Sequence, residues 1–306
     1  MVMEINMFIQ FSKFRKLYYI ITLIIIAGSI YSLAAFNLNL GIDFTGGSVL
    51  EASFKGERPA VSEIRGSLNS LSFGELNIQP VGEKGILLKI KETENAETLR
   101  NDVLSKLNEV GEIDNESFEF RSIGPVIGNE LKEKTKSVVL LSLLAILIYI
   151  AWSFRKLTHP LASWQYGLAA IIPLIFNTLI ILGSFALLGK LYGVQLTIPV
   201  ITAILAVLGY SINDTVVVFD RIREKVLKEK GDYVDLIDHS AYETIGRSVG
   251  TSVTTLIVVV SIFFLGGVTL KYFALTLIIG IVFGTIFSLF LAPNILITWL
   301  KIRKRK

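Results

Sequence analysis

Along the chain, long uncharged apolar runs alternate with segments that carry nearly all of the Lys, Arg, Asp and Glu. The runs cover residues 17–36, 137–154, 161–189, 191–213, 248–270 and 272–300. As helices, each can cross the roughly 30 Å of a bilayer's hydrocarbon core. Six transmembrane helices follow, the fourth continuing through the apolar residues up to 219, with a basic tail over 301–306. Single lysines, Lys190 and Lys271, separate the third span from the fourth and the fifth from the sixth, so each pair reads as a tight helical hairpin.

The one long polar segment, residues 37–136, has a different periodicity. A strand is predicted over 48–54, and a helix follows Pro59 with Val61, Ile64, Leu68 and Leu71 on one face. Two strands come next, near 77–81 and 85–91. A second helix carries Leu99, Val103, Leu107 and Val110, and a last strand spans 116–123 before Gly124 and Pro125 end it. The order β-α-β-β-α-β is the ferredoxin-like split βαβ arrangement, which hosts many functions and identifies none. The predicted fold is therefore an α-helical membrane protein with six transmembrane helices and an inserted α+β ferredoxin-like extracytoplasmic domain.

Composition agrees: 52% apolar against 18% charged residues and a mean hydropathy of +0.61 lie outside the range of soluble domains. The absence of cysteine excludes disulfides, thiolate metal sites and a Cys nucleophile. His159 and His239 read as ordinary surface or interfacial residues, and the insert shows no metal cluster, Ser/His/Asp set or phosphate-binding loop. The net charge of +4 comes from basic ends and implies no nucleic-acid partner.

Lys13, Arg15 and Lys16 precede the first span, which is too long for a signal peptide and reads as an uncleaved anchor despite a cleavage-like Ser32-Leu33-Ala34. Arg155 and Lys156 follow the second span, and further Lys and Arg cluster in residues 220–247 and in the tail. The positive-inside rule then puts both termini in the cytoplasm and the insert outside, its 17 acids against 12 bases being no obstacle to translocation.

Asp214 is the residue that carries chemistry. It follows 23 uncharged residues and precedes Val216, Val217, Val218 and Phe219. A carboxylate in mid-membrane costs roughly 2.5–3.5 kcal/mol on insertion scales and tends to be functional. The alternative is that the span ends at Asn213 and Asp214 caps a loop, which would leave β-branched apolar residues in water. Arg247, about one turn before the fifth span, is a candidate partner at similar depth, or a snorkelling interfacial cation. Thr251 and Thr254 share its helical face, Thr255 lies at a wider angle, and such hydroxyls can extend a hydrogen-bond path. Gly246 and Gly250, and Gly280 and Gly284, have the GxxxG spacing of close helix packing. Asp220, Arg221, Arg223 and Glu224 pair locally at i,i+3 and i,i+4.

Two segments together carry a resemblance: Gly41-Ile42-Asp43-Phe44-Thr45-Gly46-Gly47 after the first span, and residues 209–224, Gly-Tyr-Ser-Ile-Asn-Asp-Thr-Val-Val-Val-Phe-Asp-Arg-Ile-Arg-Glu. From the residues alone, Gly46 and Gly47 suggest a tight turn into the first strand or, less simply, a ligand cradle. Both segments resemble the signature motifs of the SecF family, within SecD/SecF and the RND superfamily, and the order of helix, external domain and five helices matches as well. The resemblance implies a twelve-helix complex with SecD that associates with SecYEG, with YajC and YidC as accessory proteins. It implies use of the proton gradient to draw translocating polypeptide outward, with protons as coupling ion, no other cofactor and no enzyme activity. It makes Asp214 the proton-relay carboxylate, Arg247 its basic partner and Thr251 a member of the relay, with a second Asp on SecD; from their positions in the chain, Asn213, Thr254 and Thr255 are candidate supporting polar residues. Around Arg247 the chain departs from the usual Ser-Arg-Thr pattern, and its tail is unusually basic. Other readings are a proton-driven exporter of small molecules or lipids, or an intramembrane aspartyl protease, which would need a second membrane Asp.

Overall fold

The computed structural model describes residues 11–71, 76–90, 96–155, 161–229 and 231–303. The chain forms two compact units, one from the residues up to Asn39 with Val138 onward, the other Leu40–Ser137. His159, Lys156 and the last three residues of the basic tail lie outside the described residues.

The smaller unit is the inserted domain. Its elements are a short helix α2 (Ile42–Thr45), β1 (Gly47–Phe54), α3 (Val61–Leu68), β2 (Leu76–Val81), β3 (Gly85–Ile90), α4 (Ala96–Val110) and β4 (Ile113–Ile123). The sheet is antiparallel throughout in the order β2-β3-β1-β4, the ferredoxin-like topology. Alternation along β1 sends Leu50, Ala52 and Phe54 to one face, where they pack with Ile86, Leu88 and Ile90 of β3 against Ile64 and Leu68 of α3 and Leu99, Val103 and Leu107 of α4. The other face carries Glu51 and Lys89. Burial, reinforced by Glu119, raises the Glu51 carboxyl above its ordinary range, and burial pushes the Lys89 ammonium down to about 8.

The Gly-Gly pair is a turn into β1. Gly46 caps α2 at φ 74°, and Gly47 opens the strand at φ 120°. A Cβ on Gly46 would lie 2.8 Å from Pro125 Cα, and one on Gly128 would lie 2.8 Å from Gly46 N, so backbones meet here with no room for side chains. Asp43 lies within α2, Phe44 is buried and Gly41 is the N-cap.

The larger unit contains α1 (Arg15–Phe36), the membrane part of α5 (Pro125–Ser153), α6 (Ser163–Tyr192), α7 (Ile198–Lys228), α8 (Tyr233–Leu265), α9 (Val268–Ile286) and α10 (Ala292–Arg303). Among the described residues, six helical stretches are long and apolar enough to span a membrane, α9 and α10 forming one continuous span. They are joined by a π-helical turn at Phe287–Leu291. Pro293 has no N–H to give the carbonyl four residues earlier, which is a sufficient local cause for the widened turn.

Three features correct the sequence reading. The helix of the second span begins at Pro125, because a proline is well suited to a first helical turn, so Gly124-Pro125 starts a helix as well as ending a strand. The segment 220–247 is mostly helix: α7 runs to Lys228 and α8 starts at Tyr233, since Val218, Phe219, Ile222 and Lys225 are all buried at helical spacing. The link between the fifth and sixth spans is Gly266-Gly267, where Gly266 caps α8, and Lys271 falls inside α9, its ammonium 5.5 Å from the Phe263 ring.

Candidate functional site

Pro199 in the first turn starts α7, and the helix then runs unbroken past Asp214, so Asp214 lies within a helix and does not cap a loop after Asn213. At 1.5 Å per residue, Asp214 lies about 24 Å along the helix from Ile198. Its side chain is buried, with 4% of its surface exposed.

Glycines bring the surrounding helices close. A Cβ on Gly280 would sit 2.4 Å from Val207 Cγ2, and one on Gly284 would sit 3.0 Å from Asn177 Nδ2 and 3.1 Å from Ser211 Oγ. The second GxxxG pair thus lets α9 lie against α7 and α6. In this packing the Thr285 hydroxyl donates to Asp214 Oδ2 at 3.4 Å. Thr285 Oγ1 lies 2.6 Å from Ser252 Oγ on α8, and Tyr210 donates its phenolic proton to Ser252 at 3.1 Å. Beside them, Thr215 Oγ1 and Ser288 Oγ are hydrogen-bonded at 2.8 Å with either able to donate, and both hydroxyls lie 3.1 Å from the Ser211 carbonyl. Asn177 donates to the Gly280 carbonyl at 2.9 Å. Among the described residues no charged side chain acts on Asp214, and the hydroxyl of Thr285 is its hydrogen-bond partner.

Arg247, Thr251 and Thr254 are not part of this cluster. They lie exposed on the opposite face of α8, while Ser248 and Ser252 are buried on the inner face. Thr251 bonds back to the carbonyls of Arg247 and Ser248, Thr254 to those of Gly250 and Thr251, and the half-buried Thr255 to that of Thr251. Gly246 and Gly250 share the exposed face, and a Cβ at either would touch nothing within 4 Å, so this GxxxG pair packs against none of the described helices. Asn213 is exposed beside Asp214 on α7.

Sequence reasoning therefore missed Tyr210, Ser252, Thr285, Ser288, Thr215 and Asn177. A signal existed: Ser240, Thr244, Ser248 and Ser252 recur at four-residue steps in α8, and Asn177 is an uncommon guest in an apolar span.

Toward the far end of α7, a second polar group ties it to α8. Arg221 pairs with Glu224 at 2.6 Å and with Glu243 at 2.5 Å. Buried Lys225 reaches Glu243 at 2.9 Å and His239 Nδ1 at 2.6 Å. The local pairing expected of Asp220, Arg223 and Glu224 is present, and His239 is engaged in the cluster rather than being a bare surface residue.

An inserted ferredoxin-like domain, six candidate membrane helices and a buried carboxylate held by one hydroxyl define a multi-pass membrane protein. The comparisons resolve the class further. Residues 102–302 match the family model described as protein export membrane protein SecD/SecF, C-terminal, and residues 31–57 match the SecD/SecF GG motif. The chain is 36% identical to the protein translocase subunit SecF of Thermobaculum terrenum, over 95% of this chain and 94% of that one. It is 31% identical to the SecF subunit of Pseudomonas aeruginosa, over 96% and 92%. The crystal structure of SecDF from Thermus thermophilus, titled a translocon-associated membrane protein, superposes with a TM-score of 0.80 at 30% identity, covering 98% of this chain and 40% of that one. The chain belongs to the SecD/SecF family of protein-export membrane proteins, on the SecF side. It spans 40% of the length of the SecDF chain that it matches.

Proposed function

We propose that this chain works as the SecF part of a complex with SecD, converting proton entry into outward movement of a polypeptide emerging from the SecYEG channel, with YajC and YidC as accessory proteins. The observation that carries this reading is Asp214: a carboxylate buried inside an apolar helix and held, among the described residues, by one hydroxyl and by no cation. Such a group is costly in lipid and serves best as a site that alternates between charged and neutral. Each proton crossing the membrane releases about 2.3 kcal/mol per 100 mV, so a few protons suffice to move a domain.

SecD supplies what the chain lacks alone. The exposed stripe of Gly246, Arg247, Gly250, Thr251 and Thr254 is the packing surface for a SecD helix, and a carboxylate on that helix is the counterpart of Arg247. Arg247 and Thr251 then belong to the relay from the partner side, with Asn213 close by on α7. The chain sits in the cytoplasmic membrane with both termini inside, which places the start of α7 outside and Asp214 in the inner half.

Proton-gradient stimulation of export, measured in membrane vesicles with SecD present, tests this. Asp214→Asn is expected to lose the stimulation while ATP-driven export by the cytoplasmic motor continues. Full stimulation in that variant would refute the reading.

A further inference from the structure

Each hydroxyl carries one proton, and this fixes the direction of the bonds leading to Asp214. If Thr285 donates to Asp214 Oδ2, its oxygen is free to accept from Ser252; if Ser252 donates to Thr285, its oxygen accepts from Tyr210, which is the donor observed. Three hydroxyls from α9, α8 and α7 thus point head to tail at one carboxylate. Hydroxyls in helices ordinarily spend their proton on a carbonyl of the preceding turn. Thr244, Thr251, Thr254, Thr255 and Ser261 of α8 all do so, whereas Ser252 bonds across to two other helices. Tyr210, half-buried, stands one turn nearer the start of α7 than Asp214.

We propose that Tyr210, Ser252 and Thr285 form the conduit through which Asp214 exchanges its proton with the outer aqueous phase, and that Ser252 is the residue that holds the conduit together. This rests on Asp214 being the group that titrates. A hydronium ion supplied by the gradient gives its proton to the Tyr210 oxygen while the phenolic proton passes to Ser252 Oγ. The Ser252 proton passes to Thr285 Oγ1, and that of Thr285 to Asp214 Oδ2. Four O–H bonds form on the protein and three break, and one proton has neutralised one carboxylate. The hydroxyls then point away from Asp214, so the chain is reset only when the proton leaves and they turn back. Among the described residues no other titratable group competes along it: α6 offers Asn177, α8 Ser248 and Ser252, α9 Thr285 and Ser288, and Arg247 lies on the outer face of α8.

The test uses the complex with SecD in vesicles, reading the rate of proton-driven export, its pH profile and its solvent isotope effect. Ser252→Ala is expected to slow the proton-driven rate by about tenfold and displace the pH profile, while Ser252→Thr, which keeps the hydroxyl, stays close to the starting rate. Adding Tyr210→Phe to Ser252→Ala is expected to cost nothing more, because both break one path. Thr285→Val, of equal volume, provides an independent break should Ser252→Ala fold poorly. Unchanged rate and profile in Ser252→Ala or Thr285→Val, with Asp214→Asn inactive, would overturn the conduit alone. A response that survives in Asp214→Asn would overturn both it and the role of Asp214.

Discussion

Replacing Gly280 by alanine is the sharpest structural perturbation of the site. The added Cβ would meet Val207 Cγ2 at 2.4 Å, Cγ1 at 2.5 Å and Cβ at 3.0 Å, and real Cβ atoms do not approach that closely. Val207 is 1% exposed and β-branched, and in a helix it has essentially one rotamer, so it cannot turn aside. The helices must part instead, and overpacking of this kind costs about 1–3 kcal/mol. Because Ser211 faces Gly284 and Asp214 faces Thr285 one turn further along the same contact, separation of α7 from α9 weakens a bond that is already 3.4 Å long. Gly280→Ala is therefore expected to lower the thermal midpoint in detergent and the proton-driven rate together. Val207→Ala should restore much of both, since only the 3.0 Å approach of its Cβ then remains, and a few tenths of an ångström relieve it. In a double-mutant cycle the coupling is expected at about 1–2 kcal/mol. An undisturbed midpoint in Gly280→Ala, or damage that Val207→Ala leaves untouched, would refute the packing account.

In the inserted domain, Gly46→Ala imposes a left-handed conformation on a residue with a Cβ and drives that Cβ to 2.8 Å from Pro125 Cα. The expected loss is about 2–4 kcal/mol in urea unfolding of the domain signal, against little change for Gly56→Ala, where the added carbon meets nothing within 4 Å. Lys89 gives a pH dependence: its pKa is about 8 in the folded state against 10.5 unfolded, so between these values the unfolded chain binds more protons and stability rises with pH. The gain is at most about 3 kcal/mol, less after solvent screening, and the cost of the buried charge is fully present below pH 8. Lys89→Met should flatten this rise when unfolding is followed from pH 7 to 10, and an identical slope in the variant would count against a buried ammonium.

Much of this architecture is legible in the sequence because lipid allows few solutions. Six uncharged runs have to be helices, and the alternation at Leu50, Ala52 and Phe54 leaves little choice but a half-buried strand. Asp214 is legible for the same reason, being a charge where none is cheap. What surrounds it is not, because α8 carries small polar residues on both faces. Arg247 points the eye to Thr251 and Thr254 at helical spacing, yet the face turned to Asp214 is that of Ser248 and Ser252, and only the packing of α7 and α9 decides between them. Thr285 and Ser288 become visible as partners only once Gly280 and Gly284 bring α9 against α7. Helix ends are equally underdetermined: Lys271 marks a break in composition, while the chain turns at Gly266-Gly267, where the backbone can leave the helix.

The central claim is that Asp214 itself takes up and gives back a proton within the membrane. Infrared difference spectroscopy of the complex, recorded as the outside pH is stepped down, reads this directly from the carboxylic C=O stretch. A band that grows on acidification, shifts in deuterated water and is missing from Asp214→Asn is the predicted result. A carboxyl signal that is the same in that variant, or none at all across the pH range in which export responds to the gradient, would contradict it.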